Sequence, residues 1–214
     1  MKRLGLIRVL TTNDSTLLDL HGKQIEGLYP GLRVVSRCIP DHPTGVHDDE
    51  THRSAIPHVV ALARDFRDQG FDAVVVSCAG DPGVEEARRE VDIPVIGAGR
   101  SAAALALALG GRVGVLGIRE EVPEALAEAL GGALLASARP DGVTTTLDLL
   151  TEAGKASAVK SGLWLKEQGA QVIVLACTGL STIGAAAAIA ASTALRVIDP
   201  VVAEGLFAHY AVNS

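Results

Sequence analysis

Two cysteines at matching places in two similar stretches constrain the fold of this chain more than any other feature. Cys78 and Cys177 each end an apolar run. Each is followed by a glycine-containing turn and then by a segment with helical character. The matching predicts two related halves, each of which presents one thiol at the end of a buried strand.

Further segments repeat in the same order in both halves. Gly70 and Gly169 precede their cysteines by the same interval. Several echoes in one order indicate a duplicated unit rather than chance similarity between α/β segments. Residues 3–7 resemble residues 112–116, residues 43–46 resemble residues 140–143, and residues 94–97 resemble residues 196–199.

Short runs rich in valine and isoleucine alternate with segments of helical periodicity, such as residues 48–69. Strands that are apolar on both faces are typical of buried parallel sheets. The predicted fold class is therefore α/β, with two pseudo-symmetric lobes, each a roughly four-stranded parallel sheet flanked by helices, and the site in the cleft between them. Strands are predicted at residues 3–10, 32–38, 72–78, 94–97, 112–117, 133–138, 172–177 and 196–199.

The order of these elements also predicts the lobe boundaries. Residues 1–97 together with residues 200–214 are expected to form the N-terminal lobe, and residues 98–199 the C-terminal lobe. The glycines of residues 97–99 are expected to form the hinge. The last helix, predicted over residues 201–211, would pack back on the first lobe.

Composition limits the partners. The formal net charge is -6 and no basic patch stands out, so nucleic acid is not an expected partner. The apolar stretches are too short to span a bilayer, and residues 1–4 are interpreted as the start of a strand rather than a targeting segment. Three cysteines without a CxxC pair indicate a reducing compartment and hence the cytoplasm. A small-molecule substrate and a homo-oligomer are expected.

The chemistry expected of the two thiols follows from their position. Ligands of parallel α/β sheets bind beyond the carboxyl ends of the strands, where both cysteines lie. A helix N-terminus, capped in the first half by Asp81, is expected to lower the pKa of the nearby thiol toward neutrality. A thiolate can then take a proton from a carbon beside a carbonyl, while a thiol returns one to the opposite face. The alternative is that a cysteine is simply a buried core residue, which is the interpretation adopted for Cys38.

Backbone N–H groups beside each cysteine are expected to bind a carbonyl or enolate oxygen of the substrate. These groups belong to Ala79 and Gly80 in the first half and to Thr178 and Gly179 in the second. No histidine or carboxylate lies at ligand spacing beside either cysteine, so no metal site is expected.

Residues that follow the first strand of each half are expected to edge the same cleft. Thr11, Thr12 and Asn13 would bind the substrate, with helix capping as the alternative. Arg119 occupies the equivalent place in the second half, where a charged first helical turn is the alternative. The roles of Asp14, His47 and Asp199 are left open, and His21, His42, His52, His58 and His209 are assigned none.

The turns around the cysteines suggest a family. Residues 77–83 and 93–97 resemble the first signature of the aspartate/glutamate/hydantoin racemase superfamily, and residues 176–181 resemble the second. The Asp-Pro-Gly of residues 81–83 is most similar to the hydantoin and allantoin racemase branch. The resemblance implies two pseudo-symmetric lobes around a cleft, no cofactor, and catalytic roles for Cys78 and Cys177.

The chain departs from the amino-acid racemases of that superfamily directly after both cysteines. They typically carry Asn-Thr after the first and Thr-His after the second, where this chain has Ala-Gly and Thr-Gly. Residues 11–14 also differ from the Asn-Pro-Asn stretch of many hydantoin racemases. The leading hypothesis is a cofactor-independent, two-cysteine racemase of 5-substituted hydantoins or related cyclic ureides. The alternatives are an aspartate/glutamate-type amino-acid racemase and a two-lobed small-molecule binding protein.

Overall fold

Strands and helices alternate along the whole chain in the computed structural model, which describes residues 1–214. The strands are β1 (Lys2–Arg8), β2 (Leu32–Cys38), β3 (Ala73–Ser77), β4 (Val95–Gly97), β5 (Val113–Leu116), β6 (Leu134–Ala138), β7 (Val172–Leu175) and β8 (Arg196–Ile198). The helices are α1 (Ser15–Leu28), α2 (Asp49–Asp68), α3 (Val84–Glu90), α4 (Ala98–Leu109), α5 (Glu124–Leu130), α6 (Glu152–Glu167), α7 (Thr178–Thr182), α8 (Ala185–Thr193) and α9 (Pro200–Asn213).

The eight strands form two parallel sheets of identical topology. The first has the order β2-β1-β3-β4 and the second the order β6-β5-β7-β8. Every pairing within them is parallel. The α/β class and the two four-stranded sheets are thus confirmed. Several predicted strands extend a residue or two beyond the observed ones, because the turns that follow them are as apolar as the strands themselves.

Helices cover both faces of each sheet, which explains why the strands are apolar on both sides. The first sheet packs against α2 and α3 on one face and against α1 and α9 on the other. The second sheet packs against α6, α7 and α8 on one face and against α4 and α5 on the other. The result is four layers of buried aliphatic side chains that hold the ends of β3 and β7 in fixed positions.

A glycine at the same place in each half lets a helix approach the first strand closely. A Cβ atom on Gly5 would lie 2.4 Å from Cγ of Phe66 in α2. A Cβ atom on Gly114 would lie 3.2 Å from Cβ of Leu165 in α6. The two lobes therefore share a packing detail as well as a strand order.

The last helix returns from the second sheet to the first. Val201, Ala208 and Val212 of α9 pack in the core of the first sheet, whereas Ala203 packs in that of the second. These contacts support the predicted lobe boundaries, which stay a prediction. None of the helices combines the length and the apolar character that a membrane crossing requires.

Candidate active site

Cys78 and Cys177 line one cavity, although they come from different sheets. Cys78 directly follows Ser77 at the end of β3, and Cys177 lies two residues after the end of β7. Each side chain is 7% exposed. This cavity is called here the thiol cavity. Its other lining residues are Val9, Val46, Ala79, Gly80, Ile118, Arg119, Pro123, Thr146, Ala176 and Thr178.

The two cysteine turns are joined directly. The Thr178 hydroxyl donates to the carbonyl oxygen of Ser77 at 3.1 Å, across the boundary between the lobes. Cys177 precedes the first residue of α7, and its sulfur accepts from the Gly179 N–H at 3.3 Å. The turns that carry the sulfur atoms are therefore positioned relative to each other and not only within their own lobes.

Asp81 caps a different helix from the one predicted. Its carboxylate accepts from the N–H groups of Gly99 and Arg100 at 2.7 and 2.8 Å, and so caps α4. The residue before α3 is Gly83, which makes no side-chain cap. The prediction was wrong because Asp81 adopts a positive φ of 50°, which turns its side chain away from α3.

The expected lowering of the thiol pKa is also wrong for this structure. Burial raises the pKa of Cys78 to about 12 and that of Cys177 to about 11. The N–H of Gly80 acts in the opposite direction at Cys78, as do those of Gly179 and Leu180 at Cys177. Removal of the sulfur atoms from water outweighs these contacts, because a thiolate loses more hydration than a thiol does.

The structure distributes the predicted substrate-binding residues over two adjoining cavities. Ala79, Gly80, Thr178 and Arg119 line the thiol cavity. Gly179 lines a second cavity. This second cavity shares Val9, Thr146 and Thr178 with the first, and is called here the arginine cavity because Arg8 lines it.

Thr11, Thr12 and Asn13 line neither cavity. The Thr11 hydroxyl donates to the carbonyl of Ile39 at 2.7 Å and accepts from the N–H of His42 at 2.8 Å. The Thr12 hydroxyl accepts from the N–H of Asp14 at 3.1 Å. These threonines therefore hold the loop after β1, and substrate binding by residues 11–13 stays a prediction without support from their position.

Arg119 forms an ion pair with Asp49, the first residue of α2. Arg119 follows β5 in the second sheet, whereas Asp49 lies beside the first, so the pair bridges the mouth of the cleft. The arginine side chain is 21% exposed and lines the thiol cavity. It is available to a ligand only if the pair with Asp49 opens or is shared.

The residues whose roles were left open act mainly on the backbone. Asp14 accepts from the N–H groups of Thr16 and Leu17 and caps α1. Asp199 caps α9 and accepts from the Ser181 hydroxyl at 2.6 Å. His47 bonds to the carbonyl of Gly45 and lines neither cavity.

Two histidines that were assigned no role lie beside the site, His21 fully buried and His52 half-buried. His21 bonds to Ser77 through Nδ1 at 2.8 Å and to Thr182 through Nε2 at 2.9 Å. The Nδ1 atom of His52 is buried without a partner. A Cβ atom on Gly80 would lie 3.3 Å from this nitrogen and 3.7 Å from the sulfur of Cys78. No spacing in the sequence relates either histidine to a cysteine.

A buried charge beneath the site was missed as well. Arg8 ends β1 and is 5% exposed, and Glu204 of α9 is fully buried with both carboxyl oxygens unpartnered. Burial raises the pKa of Glu204 well above its ordinary value. The sequence does carry a signal for Arg8. It is the only charged residue among the last five of β1, a segment that is otherwise uncharged and predicted to be buried.

Comparison with known proteins identifies the family. The sequence model described as Asp/Glu/Hydantoin racemase matches residues 23–204. A hydantoin racemase of Pseudomonas sp. (strain NS671) is 28% identical in an alignment of 172 residues that covers 74% of this chain and 66% of that protein. A hydantoin racemase of Rhizobium meliloti is 29% identical over 76% of this chain and 69% of its own length.

Solved structures agree with this match. The allantoin racemase from Klebsiella pneumoniae superposes with a TM-score of 0.83 at 25% identity, covering 100% of this chain and 88% of the other. The glutamate racemase from Thermus thermophilus has the same fold, with a TM-score of 0.68 at 17% identity and coverage of 99% and 80%. The class that these matches define is a racemase, an isomerase that inverts a stereocentre. The chain belongs to the Asp/Glu/hydantoin racemase family.

Proposed function

We propose that this protein racemises 5-substituted hydantoins or related cyclic ureides, with Cys78 and Cys177 as the two acid–base groups. The observation that carries the proposal is that the two thiols, supplied by equivalent turns of two repeated sheets, line one cavity. Hydantoin racemases from two bacteria are among the relatives of this chain, and an allantoin racemase shares its fold.

The reaction moves one proton off a ring carbon and one proton on. A thiolate takes the proton from C5, and the electron pair of the broken C–H bond passes into the adjoining ring carbonyl. The other cysteine, still a thiol, gives its proton to C5 from the opposite face. The thiol and the thiolate have then exchanged places, so the protein serves the reverse direction without another reactant.

Cys177 is the easier of the two thiols to ionise. Two backbone N–H groups, from Gly179 and Leu180, and the positive charge of Arg8 all favour its thiolate. Cys78 has one such N–H group, from Gly80, and the negative charges of a Cys177 thiolate and of Asp81 oppose its ionisation. We infer that the resting protein holds its thiolate at Cys177 when either cysteine is ionised.

The test is the loss of optical rotation from each enantiomer of a 5-substituted hydantoin, measured for Cys78→Ser and Cys177→Ser. Removal of an acid–base group costs about 10² to 10⁴ in rate, so each variant should lose at least about 100-fold in both directions. Cys38→Ser is the matched control, because Cys38 is half-buried at the end of β2 and lines neither cavity. Full two-way turnover by either active-cysteine variant would contradict the proposal.

The same preparations separate the alternatives. In deuterated water, each serine variant is expected to exchange the C5 hydrogen of one enantiomer without inverting it, because one thiol remains. Turnover of aspartate or glutamate with inert hydantoins would favour the amino-acid racemase. Tight binding of a hydantoin without turnover or exchange would favour the binding protein.

A further inference from the structure

The guanidinium of Arg8 is a buried cation without an anionic partner. Arg8 is 5% exposed and forms no salt bridge with any carboxylate. Its Nη1 atom donates to the carbonyl oxygens of Leu17 and Leu18 at 2.8 and 3.4 Å. Only Nη1 bonds to the protein; the other guanidinium nitrogens are not among its buried unpartnered atoms, so they are accessible from the cavity that Arg8 lines. A largely buried cation that presents free N–H donors to a cavity is suited to bind an anion there.

The nearest candidate for a counter-charge does not provide one. Glu204 lies close enough to act on the charge of Arg8, but neither of its oxygens is bonded to the guanidinium. Burial raises the pKa of this carboxyl well above its ordinary value, which disfavours the negative charge that would pair with Arg8. Burial also lowers the pKa of Arg8, yet an arginine starts so high that its charge persists.

The cavity that Arg8 lines adjoins the thiol cavity. The arginine cavity shares Val9, Thr146 and Thr178 with the thiol cavity, so a ring held between the cysteines can extend a substituent into it. Its remaining walls combine leucine side chains, such as Leu17 and Leu147, with hydroxyl groups. Methylene groups would contact the leucines, and a terminal anion would meet the free guanidinium nitrogens.

We propose that the arginine cavity is a subsite for a carboxylate, so that the preferred substrate carries an anionic group on a short aliphatic chain. The inference rests on the proposed function for the ring, but the carboxylate subsite stands on its own geometry. A planar guanidinium binds a carboxylate through two parallel hydrogen bonds, which discriminate strongly against a neutral group of the same size. The carboxylate belongs either to the 5-substituent of a hydantoin or to a free amino acid.

The decisive comparison is between two hydantoins of equal size. One carries a 2-carboxyethyl group at C5 and the other the corresponding primary amide. A charge-assisted hydrogen bond in a buried site corresponds to about 10- to 100-fold. We expect kcat/KM of the wild-type protein to favour the carboxylate by at least about tenfold. This measurement needs no variant, so it holds even if substitutions at Arg8 impair folding.

Variants then assign the preference to Arg8. In Arg8→Gln the ratio of the two kcat/KM values should fall toward one, whereas Arg8→Lys, which keeps the charge, should retain part of it. Arg33→Gln is the matched control, because the Arg33 side chain is 66% exposed on β2, away from the cleft. Equal turnover of the acid and the amide by the wild-type protein would overturn the inference.

A binding measurement separates failure of this inference from failure of the proposed function. Glutarate, a dicarboxylate without a ring, is titrated calorimetrically into wild-type, Arg8→Gln and Arg33→Gln proteins. We expect only Arg8→Gln to bind it more weakly, by at least about tenfold. Suppose that hydantoins are not turned over, that aspartate or glutamate is, and that the affinity for glutarate still depends on Arg8. The proposed substrate is then wrong, whereas the carboxylate subsite is supported. If Arg8→Gln binds glutarate as tightly as the wild-type protein does, and neither hydantoin is turned over, the subsite is refuted.

Discussion

The protonation of the two thiols that line the thiol cavity depends on how much water reaches each sulfur atom. Each cysteine accepts backbone N–H contacts that favour its thiolate, yet the pKa of Cys78 is about 12 and that of Cys177 about 11. Both sulfur atoms are therefore protonated in the free protein at neutral pH. The Cys177 thiolate would also oppose ionisation of Cys78, so one thiol of the pair stays protonated when the other ionises.

The rate at which iodoacetamide alkylates each cysteine should report these pKa values. Because only the thiolate reacts, and both pKa values lie above 10, the rate at Cys78 and Cys177 should rise about tenfold per pH unit from pH 7 to pH 10. Site-resolved mass spectrometry measures the rates. A plateau below about pH 9 at either cysteine would show that its thiol is activated, contrary to this expectation.

At the scale of elements, the turn after β3 is fastened to the start of α4. Asp81 caps α4, and α4 approaches so closely that a Cβ atom on Gly99 would lie 2.2 Å from the carbonyl oxygen of Ala79. Gly99 is therefore required by this close contact with the residue after Cys78. Its sequence neighbourhood suggested only a hinge.

Gly99→Ala should displace the Cys78 turn. A methyl group has no room there, so we expect a loss of about 1–3 kcal/mol in the free energy of unfolding and a lower kcat. Gly27→Ala is the control, because Gly27 lies in α1 with no atom within 4 Å of the added methyl group and alanine favours a helix. Urea unfolding and racemase assays check both variants. Unchanged activity in Gly99→Ala would mean that the turn tolerates the displacement.

The element pattern was the most predictable part of this protein. Valine-rich runs locate strands because buried parallel strands tolerate little else, and the repeated glycine-to-cysteine interval locates the turns. Contacts between distant segments carry no such periodicity. The cap from Asp81 to α4, the positive φ of Asp81 and the burial that raises the thiol pKa values all depend on packing that sequence spacing does not encode. Arg8 was open to prediction, since a charge in a buried strand is itself a signal.

At the scale of the whole molecule, polar contacts join the two lobes beneath the cleft. Besides the bond from Thr178 to Ser77, the Thr146 hydroxyl donates to the carbonyl of Thr44 at 2.8 Å. His21 of α1 links Ser77 in the first lobe to Thr182 in the second. Burial is the main cause that holds the pKa of His21 well below its usual range, and the positive charge of Arg8 adds to it. His21 is therefore neutral in the folded protein at neutral pH.

The stabilising effect of His21 should therefore depend on pH. The unfolded chain takes up a proton at His21 below about pH 6.5 and the folded protein does not, so this contribution is present above that pH and is lost as the pH falls. His21→Asn should cost about 1–3 kcal/mol at pH 7, from the lost hydrogen bonds, and less at pH 5. Urea unfolding of both proteins at the two pH values measures the difference. A constant or wider gap at pH 5 would indicate that His21 is protonated in the fold.

The backbone passes between the two sheets twice, once from β4 to β5 and again from β8 to α9. One connection between two lobes would leave their relative orientation free in every direction. Two connections restrict the lobes to rotation about the axis that passes through both connections. We therefore expect any relative motion of the lobes to keep each sulfur atom on its own side of the cavity. The face of the substrate that each thiol would meet in the proposed reaction is then set by the path of the backbone.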